Sequence, residues 1–177
     1  ETVVSGPCTN NQCRSLAYDT NAKRIYWAEG LEGGKLMSAG TSDEAIAALD
    51  NAQIVLGLSG RSSGLAVDAP NGKLYWTETG TEAAHNAVRS ADLDGQNIAT
   101  LFDGTDGLIE PGHIEVDVLG QRLYFTDRTG GKLYTATVDG GDLTALLDGL
   151  LEPRGIALNN RVACTISSGF IECGAET

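Results

Sequence analysis

Apolar and polar residues alternate along Gly64-Leu65-Ala66-Val67-Asp68, the mark of a strand with one face buried. Ala-Pro-Asn-Gly follows at 69–72, an Asn-Gly turn leading into Lys73-Leu74-Tyr75-Trp76-Thr77-Glu78. A third strand is expected within 87–95, closing on the Asp94-Gly95 turn, and a fourth within 97–104. Glycine and Asn/Asp punctuate each junction, because tight hairpins need φ > 0 there. The pattern predicts strands joined by hairpins.

The same succession returns. Tyr26, Tyr75 and Tyr124 stand 49 residues apart, and seven residues before each is an acid, Asp19, Asp68 or Asp117. The opening strand reads SLAYD (15–19), GLAVD (64–68) and HIEVD (113–117); a further copy, GIALN (155–159), arrives after 42 residues. Third segments recur as KLMSAG (35–40), AVRSADLDG (87–95) and KLYTATVDGG (132–141), and fourth segments as QIVLGL, NIATLFDG and LTALLDGL. SDEAIAALDNA (42–52) suits either a short helix or a loop. Four short antiparallel strands per tandem unit predict an all-β chain, a β-propeller of about four blades. The repeats run over about 14–58, 63–104 and 112–150, with a degenerate fourth over 154–173. One such sheet cannot bury both faces, so each must stack on the next.

Tyr75-Trp76-Thr77-Glu78, with Tyr26-Trp27-Ala28-Glu29 and Tyr124-Phe125-Thr126-Asp127, resembles the YWTD repeat of low-density-lipoprotein-receptor-type propellers. The flanking GLAVD and RSADLDG resemble that repeat too, and the likeness covers about 14–159. The resemblance implies an extracellular propeller that binds proteins and carries no catalytic residues of its own. That family closes a larger ring than this chain has material for. The degenerate unit lacks a Tyr-Trp pair and offers two strands, near 162–167 and 169–173. A terminal strand from 1–7, with Thr2, Val3 and Val4, is expected to complete it, in the same chain or from a neighbouring copy.

Charge narrows the partners. A formal charge of −12 and a pI near 4.4 disfavour nucleic acid, and no apolar run approaches the length of a membrane span. No basic segment followed by an apolar one opens the sequence, so a signal peptide is expected to have been removed. Cys8, Cys13, Cys164 and Cys173 favour disulfides in an oxidising, extracellular setting. A zinc site is the alternative, with spacings wider than zinc ligands usually show. Local pairs, Cys8–Cys13 and Cys164–Cys173, are preferred over cross-links between the ends, because 164 and 173 suit facing positions of a hairpin.

Candidate chemistry is sparse. Alternate residues of the opening strand share a face, and only the third unit places large polar groups there: His113, Glu115 and Asp117. That face is a weak divalent-metal candidate, and a gluconolactonase-like hydrolase is the alternative function; no cofactor is expected. Glu29, Glu78 and Asp127 are read as hydrogen-bonding anchors, and Trp27, Trp76 and Phe125 as core between blades. DLDGQN (92–97) is read as a hairpin turn. No Gly-x-Ser-x-Gly elbow occurs, and two histidines leave little room for a triad. The chain is expected to be a non-enzymatic, secreted module that pairs with its own copies through terminal strands, in a filament when that contact does not close. Other extracellular proteins or glycans are further partners, and a monomeric receptor-like module is a second alternative.

Overall fold

The computed structural model describes residues 13–30, 33–41, 52–158, 163–167 and 170–174; for the last two runs and Ala83 it describes backbone only. The expected closing strand (Thr2, Val3, Val4), Cys8 and the helix-or-loop segment 42–51 lie outside the described residues.

Three sheets of four antiparallel strands follow one another, each with its strands in chain order. The first holds β1 (Cys13–Asp19), β2 (Arg24–Glu29), β3 (Lys35–Gly40) and β4 (Gln53–Gly57). The second holds β5 (Arg61–Asp68), β6 (Lys73–Thr79), β7 (Ala87–Asp92) and β8 (Ala99–Phe102). The third holds β9 (Pro111–Asp117), β10 (Arg122–Asp127), β11 (Lys132–Thr137) and β12 (Thr144–Leu147). β13 (Ala163–Ser167) and β14 (Phe170–Gly174) pair as a separate hairpin, close to the two strands expected of the degenerate unit. The opening strand expected at GIALN is absent: 155–158 carries no strand. In the other units this strand pairs with the strand carrying Tyr26, Tyr75 or Tyr124, and the fourth unit has no counterpart among the described residues. Among the described residues, no helix is long and apolar enough to cross a membrane.

Register repeats with the sequence. Tyr26 sits between Ala17 and Ser38, Tyr75 between Ala66 and Ser90, and Tyr124 between Glu115 and Thr135. Neighbouring strand residues point to opposite faces, so each Tyr and the aromatic after it serve different interfaces. Ala17, Tyr26, Ala28 and Leu36 of the first sheet share a buried cluster with Leu65, Leu74, Trp76 and Ala91 of the second. Ala66, Tyr75, Val88 and Phe102 then meet Ile114, Leu123, Phe125 and Tyr134 of the third. One apolar layer therefore lies between each pair of successive sheets.

The opening strands β1, β5 and β9 pack side by side. Glycine is required at 64, where a Cβ would stand 2.6 Å from the Gly112 carbonyl oxygen and 2.7 Å from the Ile114 nitrogen. The motif's Thr then ties one sheet to the next: Thr77 Oγ1 donates to Gly112 O (2.6 Å) and Thr79 Oγ1 to Pro111 O (3.2 Å). Thr126 repeats the role, accepting from His113 N (3.1 Å) and donating to Arg154 O (3.4 Å).

Candidate functional site

Two of the three recurring acids, Glu78 and Asp127, hold the loops between sheets. Glu78 is 1% exposed, and its Oε2 accepts from the backbone N–H groups of Ser59 (3.1 Å) and Gly60 (2.8 Å). Its Oε1 accepts from the Trp76 indole (2.7 Å), with Arg89 Nε at 3.7 Å. Asp127 performs the same task one sheet later, taking the N–H groups of Ile109 (2.8 Å), Glu110 (2.9 Å) and Gly130 (2.8 Å). Each carboxylate clamps the segment leading from the preceding sheet into its own opening strand. The first sheet differs: Trp27 Nε1 and Glu29 Oε2 are both buried without a hydrogen bond.

The acids before each Tyr cap the first hairpin turn. Asp19 Oδ1 accepts from Asn21 N and Ala22 N, Asp68 Oδ1 from Asn71 N, and Asp117 Oδ1 from Gly120 N. The 92–97 segment is a hairpin turn as read: Asp92 accepts from Lys73 Nζ and Asn97 Nδ2, and these bonds hold its carboxyl below the usual carboxylate range.

His113, Glu115 and Asp117 all lie on β9. His113 Nδ1 accepts from the Ile156 backbone N–H (3.3 Å), so that nitrogen anchors the chain beyond the third sheet. With Asp117 engaged at its turn, no group of three or more metal-ligating side chains converges among the described residues. Burial pushes the Glu115 carboxyl up, opposed by the nearby His113 charge. A carboxyl raised on folding binds its proton more tightly in the folded state, so its presence weakens the fold as pH climbs through the raised value. Glu115→Gln is expected to raise the thermal midpoint at neutral pH, and the gain should vanish below the ordinary glutamate value of 4.5. A gain that persists unchanged in acid would contradict the burial argument.

Cys13 is disulfide-bonded, and the side chains of the other three cysteines lie outside the described ones. Cys164 and Cys173 occupy directly opposed positions of the β13–β14 ladder.

The stack of sheets ends on two unlike faces. Leu16 of β1 is 66% exposed, whereas Leu65, its equivalent one repeat later, is 4% exposed against the first sheet. On the other end Leu147 is 51% exposed, whereas Phe102 at the equivalent position is 5% exposed. Leu133, Leu147 and Tyr124 thus repeat the positions of Val88, Phe102 and Tyr75, and the described residues form no fourth four-stranded sheet against them. Four arginines were not singled out from sequence. Arg14, Arg61, Arg128 and Arg154 line one cavity with Ser63, Glu110, Gly112 and His113. The repeat register, which makes 14, 63, 112 and 154 equivalent, could have found two of them, Arg14 and Arg154; Arg61 and Arg128 stand at other positions of the repeat.

No protein-family model matches the chain. It is similar to the protein cueball of Drosophila erecta, 31% identical over 158 residues, spanning 85% of this chain and 23% of that protein. Low-density lipoprotein receptor-related protein 1 of Pyricularia oryzae is 33% identical over 96 residues, 52% of this chain and 31% of that protein. The crystal structure of a nidogen/laminin complex superposes with a TM-score of 0.64 at 24% identity, covering 77% of this chain and 48% of the other. These likenesses support a YWTD-type β-propeller. TolB from Acinetobacter baumannii shares the fold at 14% identity and a TM-score of 0.58. The chain spans about a quarter of the length of the cueball relatives it matches.

Proposed function

We propose that the chain is a secreted, extracellular protein-interaction module without catalytic activity, and that it associates with further copies of itself through the two ends of its stack. The observation that supports this reading is the exposed apolar side chain at each end of the stack, Leu16 on the first sheet and Leu147 on the third. Each inter-sheet contact inside the chain sets Ala, Tyr and aliphatic positions of one sheet against Leu and an aromatic of the next. The third sheet presents the first half of that pattern in Tyr124, Leu133 and Leu147. The first sheet presents Leu16 of the second half, beside Trp27, Met37 and Ala39, which are buried in a cluster of their own. A second copy would join the stack where Leu16 and Leu147 stand open. The contact is head-to-tail, and such contacts make open filaments wherever their rotation does not close. Pairing of a 1–7 strand with the neighbour would strengthen the joint. Disulfides Cys8–Cys13 and Cys164–Cys173 staple the two termini in this reading. The likenesses to a lipoprotein-receptor-related protein and to a nidogen/laminin complex favour extracellular protein partners.

Light scattering over a range of protein concentrations tests the idea. Mass should grow with concentration, and Leu16→Glu or Leu147→Glu should each return a smaller particle. Both side chains are exposed, so either change should shift folding stability by no more than about 0.5 kcal/mol. A single-chain mass at every concentration overturns self-association.

A further inference from the structure

The four arginine side chains of the cavity have no part in the contacts described so far, which use only backbone and His113 from its lining. Positions 14, 63, 112 and 154 are equivalent by the 49-, 49- and 42-residue spacing of the repeats, and all four line it. It therefore lies where the opening strands of successive units begin, around the axis of the stack. Ser63 and Gly112 leave room, while Arg14 and Arg154 project charge from the equivalent places. Arg61, at the start of β5, and Arg128, just after β10, add two more guanidinium groups.

Charge there runs against the rest of the molecule. The chain carries −12 overall, yet four guanidinium groups face one cavity. Glu110 bridges Arg61 (3.4 Å) and Arg128 (3.3 Å), and its Oε2 also accepts from Thr129 Oγ1 (2.5 Å). Glu152 meets Arg154 (3.0 Å) in a pair more than half exposed on both sides, which water and salt weaken. Arg14 has no carboxylate partner among the described residues. Four positive groups against two carboxylates leave an excess of two positive charges. Arg128 Nε is buried without a hydrogen bond, its Glu110 contact being an ion pair alone. Guanidinium forks match the two oxygens of a carboxylate, and an under-neutralised set of them attracts one.

Size selects the form of that ligand. The cavity measures about 190 Å³. Small-molecule sites usually run from about 300 to 1,000 Å³, so this one suits a single side chain better than a free metabolite or cofactor.

We propose that this cavity receives an aspartate or glutamate side chain from an acidic segment of a protein partner. Arg14 and Arg154 are the receiving groups, and the Arg61–Glu110–Arg128 bridge forms the positioned floor. The proposal rests on the protein-interaction reading for the source of the carboxylate, and is independent of self-association. The −12 charge sharpens selectivity, because an acidic segment is repelled from the surface elsewhere.

The test uses a fluorescein-labelled Gly-Ser peptide carrying several glutamates, its glutamine counterpart, and fluorescence anisotropy with the whole protein at low salt. The glutamate peptide should bind at least about tenfold tighter than the glutamine peptide, and binding should weaken as salt shortens the Debye length. Arg14→Glu and Arg154→Glu should each weaken it by a similar factor. Both residues are exposed, and an unchanged circular dichroism spectrum confirms that each variant folds. Equal affinity for the two peptides, no binding, or unaltered affinity in both arginine variants would overturn the proposal. Displacement by inorganic phosphate as readily as by unlabelled glutamate peptide would also overturn it, marking a general oxyanion site. Light scattering on the same samples separates the two ideas, since lost particle mass with retained peptide binding sinks self-association alone.

Discussion

Glu78→Ala is expected to destabilise the protein by about 3–5 kcal/mol, the range for breaking a buried charged group away from its partners. The residue has few routes to compensation. It is 1% exposed and takes the N–H groups of Ser59 and Gly60, the Trp76 indole, and the charge of Arg89. Alanine would strand the Gly60 N–H and the indole where both are buried, each costing about 1–3 kcal/mol on its own, while the part-buried Ser59 N–H can turn to water. These losses overlap, because the 59–60 segment can relax outward once released, so their simple sum overstates the effect. Relaxation has a consequence of its own: the segment leads directly into β5, which packs against both neighbouring opening strands. Thermal unfolding should show a midpoint lowered by roughly 6–20 °C for a chain of this size. Glu78→Gln should cost less, since one amide oxygen and the shape survive. A loss under about 1 kcal/mol for alanine would mean that the carboxylate does not clamp the loop.

The partners of Glu78 show where sequence reading reaches its limit. That Tyr and Trp serve opposite faces follows from strand alternation, and the return of the phrase every 49 residues made the stacked sheets legible. That Glu78 and Asp127 accept hydrogen bonds was legible as a class of role. What they bond was not, because the partners are backbone N–H groups 17–19 residues upstream, and any residue there carries one. GIALN repeats the opening strand in sequence, yet repetition alone cannot supply the missing ladder partner. His113 drew notice as the odd residue of its face and as a metal candidate. Its Nδ1 instead holds Ile156, a contact across 43 residues that no local pattern encodes. The arginine cavity was hidden for another reason. Its charges come from four separate units of the chain, and two of the four equivalent positions are Ser63 and Gly112, which advertise nothing.

Phe125→Ala is expected to cost about 3–5 kcal/mol, as for other fully buried aromatic rings. Phe125 is 0% exposed and stacks between Phe102 (6.3 Å, 27°) and Tyr134 (5.4 Å, 23°), joining the second sheet to the third. The more discriminating change is Phe125→Trp, which restores the residue type that the other two repeats carry. In the second repeat the indole N–H is met by Glu78 Oε1. In the third the acid is Asp127, one methylene shorter, and backbone donors already occupy both of its oxygens. An indole at 125 would therefore bury a donor without an acceptor, costing about 1–3 kcal/mol beyond any overpacking. Adding Asp127→Glu should recover part of the loss, with a coupling of about 0.5–3 kcal/mol in a double-mutant cycle read by denaturant unfolding. The first sheet warns that Trp and Glu alone do not suffice, since Trp27 Nε1 and Glu29 Oε2 stay unpaired. Recovery depends on the 109–110 loop keeping its hold on the longer acid. Strictly additive losses would show that ring and carboxylate vary independently, and that the paired change from Trp and Glu to Phe and Asp has no energetic content.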